Sequence, residues 1–135
     1  PITINNFSKG FAINIGNPHV VFIGKKLDKL NIKKVGKKIE NHYFFPKKTN
    51  VEFVKIINRK KIKMKVWERG VGETLACGSG ACASVFAAYK KKLVNKYCEV
   101  ILKKGSLFVR INEHNELILT GPAEISYSGK IKYEK

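Results

Sequence analysis

A glycine-rich loop in the middle of the chain constrains the fold most, because it joins two segments of different periodicity. Before the loop, residues 61–67 alternate lysine with apolar residues, which is the pattern of a half-buried strand. The loop itself contains Gly70, Gly72 and Gly78. After it, residues 80–94 are rich in alanine, a strong helix former that lets neighbouring segments approach closely. The sequence therefore predicts a strand, a tight loop and a buried helix in succession.

The rest of the pattern predicts an α+β fold in a single domain over residues 1–135. Residues 31–42 carry apolar residues at three- and four-residue spacing, which predicts an amphipathic helix with Asn31 as its N-cap. We expect a mostly antiparallel or mixed sheet wrapped around one central buried helix, with this second helix on the outside. Strands are predicted over residues 2–7, 11–15, 20–23, 51–57, 61–67, 97–103, 106–112, 116–120 and 123–133.

Charge and hydropathy restrict the classes of function. The formal net charge is +17, but the lysines lie in short runs on several predicted elements rather than in one patch. We interpret them as a solvated lysine-rich surface and do not expect nucleic acid as a partner. No apolar run approaches the length of a bilayer span, so we expect no membrane segment.

The three cysteines are candidates for chemistry rather than for cross-linking. Cys77, Cys82 and Cys98 form no CxxC pair, so neither a disulfide framework nor a metal site is expected, and free thiols fit a cytoplasmic location. Cys82 and Cys98 have apolar neighbours and should be buried. Cys77 lies just before the predicted helix, where unpaired N–H groups and the helix dipole should lower the pKa of its thiol and could hold an anion.

A carboxylate lies near this thiol in the sequence. The loop matches no dinucleotide-binding, P-loop or nucleophile-elbow motif. What remains is Cys77 with Glu68 nine residues upstream, at a strand end. A carboxylate beside a thiol can accept its proton or raise its pKa, and either effect prepares the thiol for proton transfer. Pairing of the hairpin strands should also bring Asn50 close to Glu68 and Arg69.

Three segments resemble diaminopimelate epimerases, in the order found in that family. They are Glu68 to Ala83, Gly16-Asn17-Pro18-His19, and Thr49-Asn50-Val51-Glu52-Phe53. The resemblance spans almost all of this chain but only the carboxyl-terminal half of that enzyme. It implies an isomerase of lysine and peptidoglycan biosynthesis that interconverts LL- and meso-diaminopimelate without pyridoxal phosphate or any other cofactor. It also implies a two-base mechanism, in which one cysteine removes the α-hydrogen and a second cysteine on the opposite face supplies another.

The resemblance also implies roles for individual residues. Cys77 is then one catalytic cysteine, Glu68 its carboxylate partner, and His19 the group that assists the other cysteine. Judged from its neighbours alone, His19 is a turn histidine with no task. The implied substrate contacts are Asn17, Asn50, Glu68, Arg69, Gly78 and Ser79.

The second catalytic cysteine of the family belongs to an amino-terminal half that has no counterpart in this chain. Cys82 cannot replace it, because it lies on the same segment as Cys77 and cannot reach the opposite face of one substrate carbon. The chain starts at Pro1 and its only methionine is Met64, which indicates a fragment. We therefore expect the chain alone to be inactive, with an exposed apolar face where the missing domain docks and with homodimerisation left open.

Two other classes of function stay open at this level. One is a basic nucleic-acid-binding module that uses lysines with strand aromatics such as Phe108 and Tyr127, although no RRM or KH signature is present. The other is a cysteine hydrolase that uses Cys77 with a histidine.

Overall fold

The computed structural model describes Ile4 and residues 7–134, which form one mixed sheet and two α-helices. The helices are α1 (Ile32–Glu40) and α2 (Gly78–Lys90), and a short 3-10 turn lies at Leu27–Lys29. This is the predicted α+β class. The strands are β1 (Phe11–Asn14), β2 (Pro18–Ile23), β3 (Asn50–Asn58), β4 (Lys61–Glu68), β5 (Gly72–Thr74), β6 (Tyr97–Leu102), β7 (Gly105–Ile111) and β8 (Leu117–Thr120).

The sheet is mixed because each helix lies in a long connection between two parallel strands. The strand order is β1-β2-β3-β4-β6-β7-β8, with β5 paired to β4 beside this path. β2 pairs with β3 and β4 with β6 in parallel, and the other pairs are antiparallel. Parallel neighbours need a crossover connection, and here α1 joins β2 to β3 while α2 lies between β5 and β6. Neither α-helix in the described residues is long and apolar enough to cross a membrane.

α2 is the central helix that the alanine-rich segment predicts. It packs against both ends of the sheet, from β1 and β2 to β7 and β8. Its small side chains let the sheet wrap around it closely, and Ala81, Ala83, Ala87 and Ala88 are completely buried. Cys82, on this helix, and Cys98, on β6, are also buried, as predicted.

α1 lies on the opposite side of the sheet, over β3, β4 and β5. Asn31 caps it as predicted, since its Oδ1 accepts from Lys34 N–H at 3.0 Å. A glycine inside a helix normally costs stability, but Gly36 has a packing reason. A Cβ added there would lie 2.5 Å from Cγ of Trp67, so the indole can pack against the helix backbone. The Trp67 Nε1–H also donates to Glu40 Oε2 at 2.9 Å, which ties the end of α1 to β4.

The strand predicted over residues 123–133 is absent. Residues 121–134 have no regular secondary structure, although apolar and polar residues alternate there. Alternation cannot make a strand without a neighbouring strand to accept its backbone hydrogen bonds. The segment therefore leaves four large side chains between 84% and 95% exposed: Ile125, Tyr127, Ile131 and Tyr133.

Three shorter segments either differ from what their sequence pattern predicts or lie partly outside the described residues. Most of the strand predicted over residues 2–7 lies outside the described residues, and Phe7 forms an isolated bridge with Gly24. An aromatic run such as Tyr43-Phe44-Phe45 is expected to pack in the core, but Tyr43 and Phe44 are 79% and 49% exposed. The short strand β5 was not predicted, because three residues carry too little periodicity to be recognised.

The contact between Gly36 and Trp67 leads to a stability test. Gly36→Ala should lower the free energy of unfolding by about 1–3 kcal/mol, because the new methyl group overlaps the indole. Helix propensity alone would favour alanine by about 1 kcal/mol. Urea denaturation with Lys33→Ala, an exposed position on the same helix, as the control decides between the two effects. A Gly36→Ala variant as stable as the parent would show that this contact does not constrain the helix.

Candidate active site

The site forms where the starts of β2 and β3, the end of β4 and the start of α2 meet. Parallel pairing places His19 of β2 beside Asn50 of β3. Antiparallel pairing of β3 with β4 aligns Val51 with Trp67, so the residues that follow Trp67 lie next to Asn50. Both β2 and β3 are buried between the two helices, which explains their nearly continuous apolar runs.

Cys77 is the N-cap of α2 and is partly buried. Its Sγ accepts from Gly80 N–H at 3.3 Å and lies 3.5 Å from Ser79 Oγ. Gly78 and Ser79 open the helix, and backbone N–H groups at these two positions have no acceptor within a helix. The predicted position of Cys77, just before the helix, is confirmed.

The predicted direction of the shift in the Cys77 pKa is wrong. Burial raises the pKa of this thiol above its ordinary value of 9.0, and the Glu68 and Glu52 carboxylates add to the rise. The hydrogen bonds from Ser79 and Gly80 lower the pKa but do not offset the loss of solvation. At neutral pH Cys77 is therefore a thiol, which can donate a hydrogen.

A chain of polar contacts links this thiol to β2. Ser79 Oγ is 3.4 Å from Asn17 Nδ2, which donates to it, and Asn17 Oδ1 is 3.0 Å from His19 Nε2. The structure thus brings Asn17 and His19 together with Cys77 and Ser79, which lie far from them in the sequence. His19 has Asn17 and Glu52 as its partners rather than Cys77, which gives no support to a cysteine–histidine hydrolase pair.

Asn50 braces the other side of the site. Its Nδ2 donates to Pro18 O at 3.0 Å, and its Oδ1 accepts from Arg69 N–H at 2.8 Å, which confirms the predicted proximity. The Arg69 guanidinium is exposed and makes one long contact, 3.4 Å, to Lys47 O. Glu68 is half-buried, and its Oε1 accepts from Thr74 Oγ1 at 2.6 Å, which orients the carboxylate.

Glu52 is a member of this cluster that the sequence analysis did not select as a site residue. It is completely buried in β3, with Oε1 2.6 Å from Nδ1 of His19. A Cβ on Gly80 would lie 2.9 Å from the same oxygen, so Glu52 lies directly under the first turn of α2. Burial raises the pKa of Glu52 to about 7, although His19 lowers it, and the Glu68 carboxylate adds to the rise. The signal in the sequence is one acid inside the apolar run of residues 51–54.

The side chains of this cluster suit proton transfer and anion binding rather than metal coordination. Within Ile4 and residues 7–134, no group of three His, Cys, Asp or Glu side chains could hold a metal ion. The cluster instead offers a thiol, two carboxylates, an imidazole and two amides, next to the N–H groups that open α2.

Comparison with solved structures establishes the fold class of this chain. The chain resembles a PhzF-family phenazine biosynthesis protein of Bacillus anthracis with a TM-score of 0.53 at 19% identity, over 82% of this chain and 37% of that one. For a PhzF-family protein of Enterococcus faecalis the TM-score is 0.54 at 19% identity, over 80% of this chain and 40% of that one. At this level of identity the likeness defines the α+β fold alone.

Sequence comparison identifies the family within this fold. The family model described as diaminopimelate epimerase matches residues 11–126. Relatives named diaminopimelate epimerase include one of Pelagibacter ubique, 48% identical over 84% of this chain and 41% of the relative. Another, of Methanococcus maripaludis, is 42% identical over 96% of this chain and 48% of the relative. The chain belongs to the diaminopimelate epimerase family, and it spans less than half the length of these curated relatives.

The raised pKa of Cys77 can be measured by alkylation. In a Cys82→Ala, Cys98→Ala background, the rate of iodoacetamide modification should rise with a midpoint above pH 9.0. Ser79→Ala should move the midpoint higher, because it removes a hydrogen bond that lowers the pKa. Ser128→Ala, the same change on an exposed segment, should leave it in place. A midpoint below pH 9.0 would show that the helix start lowers the pKa of Cys77 by more than burial raises it.

The buried Glu52 should make stability depend on pH. Because its pKa in the folded chain lies above the ordinary value of 4.5, the native state holds this proton more tightly than the unfolded chain does. Native stability should therefore fall as pH rises from 4.5 to about 7, by at most about 1.4 kcal/mol per pH unit. Glu52→Gln removes this ionisation. In urea denaturation, the free energy of unfolding of the variant should therefore rise relative to that of the parent across this pH interval.

Glu99 provides a control of opposite sign for that experiment. Hydrogen bonds from Ser106 and Lys61 and the charge of Lys61 hold the pKa of Glu99 below its ordinary value. The ionised Glu99 carboxylate stabilises the native state at neutral pH, and this stabilisation is lost as pH falls. The free energy of unfolding of Glu99→Gln should therefore rise relative to that of the parent only toward acid pH. A Glu52→Gln difference that stays constant between pH 4.5 and 7 would be inconsistent with the buried carboxyl described above.

Proposed function

We propose that this chain supplies one half of the active site of a cofactor-independent amino-acid epimerase that interconverts LL- and meso-diaminopimelate. The observation that carries the proposal is the hydrogen-bonded Cys77 thiol at the start of α2, close enough to Glu68 for that carboxylate to raise its pKa. Membership of the diaminopimelate epimerase family supports the substrate and the place in lysine and peptidoglycan synthesis. The free thiols favour a reducing, cytoplasmic compartment.

The raised pKa of Cys77 suits the proposed reaction. The α-hydrogen of an amino acid is very weakly acidic, so its removal needs a strong base, and a thiolate becomes a stronger base as the pKa of its thiol rises. In one direction the Cys77 thiol gives its hydrogen to the α-carbon, and in the other its thiolate removes one. The Glu68 carboxylate, oriented by Thr74, raises the pKa of the thiol and so makes the Cys77 thiolate a stronger base for the removal step.

The substrate carboxylate would bind at the start of α2. The N–H groups of Gly78 and Ser79 and the helix dipole favour an anion there. The exposed Arg69 guanidinium is available for a bidentate contact with a carboxylate. Asn17, just before β2, and Asn50 of β3 complete the proposed contacts. Charge that develops on the substrate during proton transfer would then meet fixed donors rather than bulk water.

A second base must act on the opposite face of the α-carbon, and we propose that an amino-terminal half of the protein supplies it on another cysteine. Cys82 is buried on α2 and cannot reach that face. The unpaired segment of residues 121–134, with its exposed apolar side chains, supports a further domain that covers it. The length of the curated relatives supports the same arrangement.

The test is reconstitution from two halves. The chain is combined with the amino-terminal half of the Pelagibacter ubique relative, and proton NMR follows exchange of the α-hydrogen of diaminopimelate in deuterated water. The combination should catalyse exchange and each half alone should not. Cys77→Ala should lower the exchange rate by about 100- to 10,000-fold, because it removes an acid/base group.

Cys82→Ala is the matched control, since it removes a thiol from the same helix without touching the proposed site, and it should retain exchange. Exchange by the chain alone at the rate of the combination would disprove the half-site. An unchanged rate in Cys77→Ala would disprove the role of this cysteine.

A further inference from the structure

The contact between Glu52 and His19 has no role in the proton transfers proposed above. Both side chains are completely buried, and Oε1 of Glu52 is 2.6 Å from Nδ1 of His19. The other oxygen, Oε2, is buried with no hydrogen-bond partner among the described residues. An ionised carboxylate with an unsatisfied oxygen is costly at such depth, and sharing a proton with a neighbour reduces that cost.

The second ring nitrogen of His19 restricts where protons can lie. Nε2 faces Oδ1 of Asn17 at 3.0 Å, because the amide nitrogen of Asn17 is directed to Ser79. An oxygen acceptor in this position requires a hydrogen on Nε2. Two arrangements satisfy both contacts: ionised Glu52 beside a doubly protonated ring, or protonated Glu52 beside a ring with hydrogen on Nε2 alone. They differ only in which atom, Oε1 or Nδ1, holds one proton.

We infer that Glu52 is a positioning residue that shares one proton with His19 and so keeps a hydrogen on His19 Nε2, facing Asn17. The inference rests on the proposed function for its importance to catalysis. The pair has no net charge in either arrangement. Burial, which raises the pKa of Glu52 to about 7, helps to keep the proton within the pair near neutral pH.

The neutrality of the pair matters for Cys77 because of the first turn of α2. Gly80 lies against Glu52 Oε1 and donates its N–H to Cys77 Sγ. A net negative charge on Glu52 raises the pKa of the Cys77 thiol, as Glu68 does. A neutral pair leaves Glu68 as the carboxylate that governs the thiol. While the proton stays within the pair, Glu52 therefore adds little to the rise in the Cys77 pKa that Glu68 causes.

Nitrogen-15 NMR of the labelled 135-residue chain tests the inference without turnover. In the parent, His19 Nε2 should carry hydrogen at neutral pH, because it faces the Oδ1 acceptor of Asn17. The shared proton should give a downfield, exchange-protected resonance coupled to Nδ1. Glu52→Gln should abolish that resonance, because the amide can donate to Nδ1 but has no acidic proton to share. His19→Gln identifies the signal.

Glu99→Gln is the matched control, because Glu99 lies on β6 and is hydrogen-bonded to Ser106 instead. It should leave the His19 signals unchanged. If Glu52→Gln does not fold, the parent spectrum still decides, since an Nε2 without hydrogen at neutral pH overturns the inference. A folded Glu52→Gln variant that keeps the downfield resonance also overturns it.

A kinetic measurement separates positioning from simple structural support. In the enzyme reconstituted from two halves, Glu52→Gln should lower kcat roughly 10- to 100-fold, as loss of a histidine's orienting carboxylate does elsewhere. KM should stay within about twofold, because no substrate contact is removed. A parent-like kcat overturns the inference. An inactive reconstituted parent with the shared proton present would count against the proposed function and leave the pairing of Glu52 with His19 established.

Discussion

The contact between the first turn of α2 and strand β3 is the constraint on which the candidate site depends. Gly80 has no side chain, and a Cβ there would lie 2.9 Å from Oε1 of Glu52. A larger residue there would force the Glu52 side chain or the helix start to shift. A shift of the helix start would move Cys77, which caps the helix, away from Asn17 and from His19 of β2. The absence of a side chain at Gly80 thus lets the helix start, and with it the thiol, lie close to the polar side chains of the sheet.

The sheet holds the other groups through backbone pairing rather than through flexible side chains. Parallel pairing of β2 with β3 fixes His19 beside Asn50. Asn50 in turn binds backbone atoms of Pro18 and Arg69, so both neighbouring strand ends are tied to it. Groups held in this way need little reorganisation when charge develops on a substrate, which is the main source of electrostatic catalysis.

Local signals predicted much of the fold and the position of Cys77. The periods of residues 31–42 and 61–67 are properties of one segment, and so is the helix start at residue 77. Features that depend on a second segment were not predictable in this way. Glu52 is a site residue only because His19 and Gly80 meet it, and residues 123–133 form no strand because no strand edge accepts them. The pKa of Cys77 depends on burial, which the helix position alone does not determine.

A crystal structure of this chain with an amino-terminal half and bound diaminopimelate would show whether Cys77 acts on the substrate. The measured quantity is the distance from Cys77 Sγ to the α-carbon of the substrate. We expect a distance of about 3–3.5 Å, the separation of reacting atoms ready for transfer. A substrate whose α-carbon lies out of contact with Sγ, or against a different thiol of this chain, would contradict it.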